Sequence, residues 1–190
     1  AKGLYALKTQ SSLPTVHPGP GCRLVAGRHP ILDQNLRRTG AAVVPLDILL
    51  NKEHRIILVS GPNAGGKSVC LKTVAILQLM VQHGILVPAN ADSSFGLYKN
   101  IFVDIGDDQS MESDLSTYSA HLTNMKLFVE KGDADSLIFI DEFGTGTDPV
   151  FGGPIAEAVL EVLNEGKVSG LITTHYSNLK IFAAHEAGLD

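Results

Sequence analysis

The stretch Gly61-Pro62-Asn63-Ala64-Gly65-Gly66-Lys67-Ser68 constrains the fold of this 190-residue chain more than any other. It fits G-x-x-x-x-G-K-S/T, a phosphate-cradling loop that joins a strand to a helix. Both neighbours are present. Arg55-Ile56-Ile57-Leu58-Val59-Ser60 reads as a short buried strand. Lys67 to His83 reads as a helix with Gly84 as its stop, and its apolar residues cover nearly every face, which predicts burial. A chance Gly-rich turn would not stand in this order. Polyphosphate needs a ring of backbone N–H groups, a cation and a helix N-terminus aimed the same way. Lys67 supplies the point charge, and the Ser68 hydroxyl is placed for Mg²⁺.

The rest of the chain alternates strand and helix patterns. Asn100–Ile105 is a strand candidate, and a polar stretch from Gly106 to Ser119 leads into a helix at about 120–131. Ser136–Asp141 is the next strand, Pro154–Glu165 a helix with Pro154 in its first turn, Gly170–Thr173 a strand, and a short helix starts near Asn178. This predicts an α/β fold with a mostly parallel central sheet flanked by helices. Residues 1 to about 40 are punctuated by Pro and Gly, as in His17-Pro18-Gly19-Pro20-Gly21, and read as short strands and turns. Val43–Ile48 continues them into an N-terminal antiparallel β layer over 1–50, ahead of a core at 51–190 within one domain of 190 residues.

The run Ser136–Glu142 is an apolar strand ending in two carboxylates, Asp141 and Glu142. Ligands of open α/β sheets sit beyond the carboxyl ends of the strands, so Asp141 is placed to hold Mg²⁺ and Glu142 to take a proton from an attacking water. Alone, the pair would read as a solvated acidic turn; a phosphate loop upstream changes that. Thr173-Thr174-His175 ends the next strand at the same edge, which places His175 to polarise a γ-phosphate. Leu115-Ser116-Thr117-Tyr118-Ser119 precedes a helix, as an ordinary N-cap or as a second anion site. Two anion sites on one chain point to a nucleotide sandwiched between two subunits.

Net charge is −5 and charged residues are 18%, so strong non-specific nucleic-acid binding by this chain alone is not expected. Cys22 and Cys70 lack ligand spacing; Cys70 reads as a small buried thiol, which suits a reduced, cytoplasmic setting. No apolar run reaches the ~20 residues that span a bilayer. The first residues carry no signal segment, and the absence of an initial Met fits a piece of a longer chain.

Together these residues resemble the ATPase domain of the MutS family, within the wider ABC-type ATPases and their P-loop NTPase fold. The resemblance rests on Gly-Pro-Asn-x-Gly-Gly-Lys-Ser with Asn63, Gly27-Arg28-His29-Pro30, Ser116-Thr117 and Thr174-His175-Tyr176. Gly106–Ser110, Leu115–His121 and Gly146-Thr147-Asp148-Pro149 look like the bacterial anti-recombination branch, whose full length carries an Smr nuclease domain. A transporter or SMC-type relative would need Leu-Ser-Gly-Gly-Gln, from which Leu115-Ser116-Thr117-Tyr118 departs after two residues. The resemblance implies ATP contacts from Gly61, Pro62, Asn63, Ala64, Gly65, Gly66, Lys67, Ser68 and Val69, with Ser68 and Asp141 on Mg²⁺. It implies Glu142 as base, with Lys67 and His175 stabilising the γ-phosphate. Ser116 and Thr117 would reach the nucleotide of a second copy in a homodimer, with Asp148 at the seam, and Asp107 or Gln109 would stand near the metal. DNA, or a ribosome, would be gripped by domains outside this chain, and an ATP-dependent dimerisation switch without turnover is the rival reading. Where MutS members place an aromatic ring against adenine, the region near Ala41-Ala42-Val43 has only small apolar groups.

Overall fold

The computed structural model describes residues 2–62, 65–106, 114–145 and 148–190, with the backbone alone for 114–118 and 149. In chain order the elements are α1 (Lys2–Thr9), β1 (Thr15–Gly27), α2 (Pro30–Arg38), β2 (Leu46–Leu50), β3 (His54–Ser60), α3 (Lys67–Gln82) and β4 (Ser94–Leu97). They continue with β5 (Asn100–Asp104), α4 (Asp114–Lys131), β6 (Ser136–Ile140), α5 (Pro149–Glu165), β7 (Ser169–Thr174), α6 (Ser177–Ala183) and β8 (Gly188–Leu189). The chain forms two compact units, Ala1–Asn51 with Ser68–Leu97, and Lys52–Lys67 with Tyr98–Asp190.

The first unit holds a three-stranded sheet in the order β2-β1-β4. β2 pairs antiparallel with β1, Cys22 facing Leu50 and Leu24 facing Ile48. The N-terminal layer is nonetheless mixed rather than antiparallel. Thr15 to Pro18 run alongside Ser94 to Leu97 in parallel, and then Cys22 and Arg23 face Phe95 and Ser94 in reverse order. Pro18 and Pro20 cannot donate to a ladder, so the chain turns over between them and lays both arms on β4.

Two helices stand where short strands and turns were expected. α2 starts at Pro30 after His29, whose Nδ1 accepts from the Leu32 N–H at 3.3 Å. Asp33 lies in its first turn and Arg37 in its last, 3.0 Å apart, and Arg28 holds the other oxygen of Asp33 at 3.3 Å. α1 is the other. α3 is buried along most of its length, as its composition predicts. It ends at Gly84 (φ 64°): the Gly84 N–H reaches the Val81 carbonyl at 2.9 Å and the Ile85 N–H the Met80 carbonyl at 2.8 Å, a left-handed cap. Of the two free thiols, Cys22 is the buried one and Cys70 is only half-buried; burial pushes the Cys22 thiol up to about 12.

The second unit carries a five-stranded sheet, β5-β6-β7-β3-β8, with every neighbour parallel. β3, β5, β6, β7 and α6 arise where the sequence predicts them. Ile138, Ile140 and Ile172 of the sheet pack with Met125 and Phe128 of α4, Leu160 and Leu163 of α5 and Leu179 of α6. α5 begins at Pro149, five residues before the expected start. Asp148 caps it by accepting from the Val150 N–H at 2.9 Å. Pro154 therefore lies inside the helix, where its ring forfeits one backbone bond. α4 starts at Asp114 rather than near 120, since no Gly or Pro in 114–119 interrupts it and an acidic residue suits a helix N-terminus. Among the described residues no helix is long and apolar enough to cross a membrane.

Candidate functional site

β7 lies between β6 and β3 in the parallel sheet, so the turns leaving β6 and β3 flank its carboxyl end. Leaving β3, the chain enters the glycine-rich loop. Lys67 is only 6% exposed, and its Nζ folds back to donate to the Gly61 carbonyl at 2.8 Å and the Pro62 carbonyl at 3.0 Å. An ammonium taken out of water needs such partners. The Gly65 N–H closes the loop onto the Pro62 carbonyl at 2.9 Å, and Gly66 at φ 80° takes a conformation that a Cβ would strain. Asn63 and Ala64 lie outside the described residues. Ser68 (half-buried) and Val69 (42% exposed) are the second and third residues of α3, the positions whose N–H groups have no intrahelical partner.

The turn leaving β6 separates two adjacent carboxylates. Asp141 is buried at 7% exposure and Glu142 is exposed. Thr173, fully buried in β7, donates from Oγ1 to Asp141 Oδ1 at 2.5 Å and accepts from the Glu142 N–H at 2.7 Å. Glu142 has φ 53°, a left-handed conformation that costs a non-glycine residue ~1–2 kcal/mol. That turn throws its carboxylate outward while Asp141 stays in. Further bonds lace the same turn to the end of β7. The Phe143 N–H reaches the Thr173 carbonyl at 2.8 Å, Thr174 Oγ1 the Phe143 carbonyl at 3.3 Å, and the Tyr176 hydroxyl the Gly144 carbonyl at 3.0 Å. His175, exposed, stands between the laced residues Thr174 and Tyr176.

A second buried carboxylate ends β5. Asp104 Oδ2 meets His121 Nδ1 at 2.7 Å, and Oδ1 accepts from Asn124 at 2.8 Å, both from α4. The Asp104 carbonyl also accepts from the Asp141 N–H at 2.9 Å. Ser116 and Thr117 therefore belong to the opening turn of a helix pinned to the sheet edge, not to a segment preceding it. Asp107, Gln109, Gly146 and Thr147 lie outside the described residues.

The structure thus gathers Gly61, Pro62, Gly65, Gly66, Lys67, Asp141, Glu142 and His175 on turns leaving three adjoining strands. Asp148 serves as a helix cap. Three residues to which the sequence assigned no role of their own join them: Thr173, Asp104 and His121. Asp104 had a readable signal, a lone acidic residue ending an apolar strand. The signal for Thr173 was weaker, a Thr pair that also suits an ordinary strand end.

Residues 57–189 match MutS domain V. The chain is 42% identical over 190 residues to the Endonuclease MutS2 of Fusobacterium nucleatum, covering 100% of this chain and 24% of that protein. It is 46% identical over 179 residues to the Endonuclease MutS2 of Thermomicrobium roseum, covering 94% and 22% respectively. The namesake in Clostridium botulinum strain Eklund 17B is 41% identical over 186 residues, covering 98% and 23%. The chain spans about a quarter of the length of these curated relatives.

Proposed function

This chain belongs to the MutS family, matching its domain V, and on that premise we propose that it is the ATP-binding and ATP-hydrolysing domain of a longer protein, built on a P-loop NTPase fold. The observation that carries this reading is the carboxyl edge of the parallel sheet. A buried lysine ends a glycine-rich loop on one side of β7, and a buried and an exposed carboxylate leave the strand on the other.

The donor set fits Mg²⁺. That ion takes hard oxygen ligands, usually one or two carboxylates, and leaves its other positions to phosphate and water. Asp141 offers one buried carboxylate with a single oxygen committed to Thr173. Among the described residues no cluster of three or more His, Cys, Asp or Glu side chains suits a metal, and this reading needs none. When bound, Mg²⁺ would supply positive charge against the negative charge that develops during phosphoryl transfer.

The residues then divide the work. Lys67 exchanges the loop carbonyls for β- and γ-phosphate oxygens. Ser68 and Asp141 hold the metal. Glu142, free in solvent, orients the attacking water and takes its proton on the carboxylate. His175 contacts the γ-phosphate, and Ser116 with Thr117 reaches the nucleotide of a second copy in a head-to-tail homodimer. In the whole protein, ATP state would control a clamp on branched or mismatched DNA, with nuclease activity outside this chain. The relatives' name, Endonuclease MutS2, fits a nucleic-acid target, with branched DNA and the ribosome as the two candidates.

Single-turnover ATP hydrolysis by the full-length protein tests the assignment. Glu142→Gln should slow the chemical step about 100-fold or more while ATP still binds; equal rates would sink the role of Glu142 and favour a switch without turnover.

A further inference from the structure

Asp141 and Glu142 are consecutive, yet one is buried and the other is exposed. Something must hold the chain in the reversal between them. Thr173 reaches both residues with one side chain, and its hydroxyl has no freedom in how it does so. An amide N–H can only donate, so the Glu142 N–H at 2.7 Å takes a lone pair of Oγ1. An ionised carboxylate can only accept, so the hydroxyl proton goes to Asp141 Oδ1 at 2.5 Å. The Thr173 carbonyl then accepts from the Phe143 N–H at 2.8 Å. One residue of a buried central strand therefore contacts three consecutive residues of the turn.

Resting on the ATPase reading above, we propose that Thr173 is a positioning residue that sets the metal carboxylate and the water-activating carboxylate as one geometric unit. It touches neither ligand nor water itself. Its bond to Asp141 occupies Oδ1, which fixes the carboxylate plane and leaves the other oxygen for a cation. Its bond to Glu142 holds the left-handed residue whose strain would otherwise relax. The β-branched side chain has few rotamers, so the hydroxyl is aimed before any ligand arrives.

The test uses full-length protein with Thr173→Val, which keeps the shape and loses the hydroxyl, and Thr173→Ser, which keeps the hydroxyl and loses the methyl. Three readouts are taken: steady-state ATP hydrolysis, the Mg²⁺ concentration needed for tight binding of a fluorescent ATP analogue, and hydrogen exchange of the peptide covering 141–145. Val is expected to lower kcat about 100-fold with KM for ATP within a few-fold, since a small misplacement of reacting groups costs that much. It should also raise the Mg²⁺ requirement and speed exchange at 141–145. Ser should stay within a few-fold of wild type in all three. Wild-type kcat in Val overturns the proposal, as does a Ser variant impaired like Val, because the methyl rather than the hydroxyl would then matter. Should Val not fold, Ser decides alone: retained kcat upholds the proposal and lost kcat overturns it. A wild type without turnover removes the ATPase reading instead. The exchange readout then rules on Thr173, and unchanged exchange in Val overturns its hold on the turn.

Discussion

β6 and β7 in the second unit have no exposed residue along their length, whereas β1 in the first alternates exposed and half-buried positions before it turns over on β4. The second sheet is all parallel, and its central strands β6 and β7 are placed by burial on both faces. The first sheet is mixed, and α2, the helix after β1, is fixed by polar contacts: His29 at its start, and Asp33 between Arg28 and Arg37. In the second unit apolar burial places the central strands, and polar side chains at their ends act on the turn beyond them. In the first, polar side chains secure a helix.

That contrast is open to direct attack by substitution. Phe139 is fully buried in β6, and Phe139→Ala should cost about 4 kcal/mol in denaturant unfolding. The comparison change in β2, Leu49→Ala at a 48% exposed position, should cost well under ~1 kcal/mol. Equal losses would break the contrast. Asp33→Ala, which removes the carboxylate shared by two arginines, should cost about 2 kcal/mol, below the figure for a fully buried pair because Arg37 is 39% exposed. A loss as small as that of Leu49→Ala would mean the ion pairs hold nothing.

The smallest effect concerns pH. Burial lowers the pKa of His29 below the ordinary histidine value, opposed by a backbone hydrogen bond and assisted by nearby Lys72. The folded state thus resists a proton that the unfolded state accepts, so stability is intact above about 6.5 and falls as pH drops from there through the folded value. Protonation also removes the lone pair that caps α2. His29→Asn, a cap that does not titrate, should flatten this part of the stability–pH curve; an unchanged slope would remove His29 from the account.

The same contrast explains what could be read from the amino acids. Leu137–Ile140 and Gly170–Ile172 are uninterrupted apolar runs, because strands buried on both faces admit nothing else, and the phosphate loop and Asp141-Glu142 mark their ends. α1 has eight residues and β4 four, too short for a period to emerge. β8 has two residues and exists only by pairing with β3, more than a hundred positions away. α2 did carry legible signs, Pro30 at its start and the Asp33/Arg37 spacing, outweighed by the surrounding Pro and Gly. In the site, Thr173 and Asp141 are 32 positions apart and Asp104 and His121 are 17. Only the register of β6 on β7, and of α4 against β5, makes them neighbours.

The left-handed backbone of Glu142 sets two selection pressures against each other. Glycine there would relax the turn, and asparagine tolerates it better than glutamate. A population of variants screened only for folding should drift toward those residues, and one screened for turnover should return glutamate. Under the proposed chemistry, this protein gives up some robustness at position 142 to keep a carboxylate facing water.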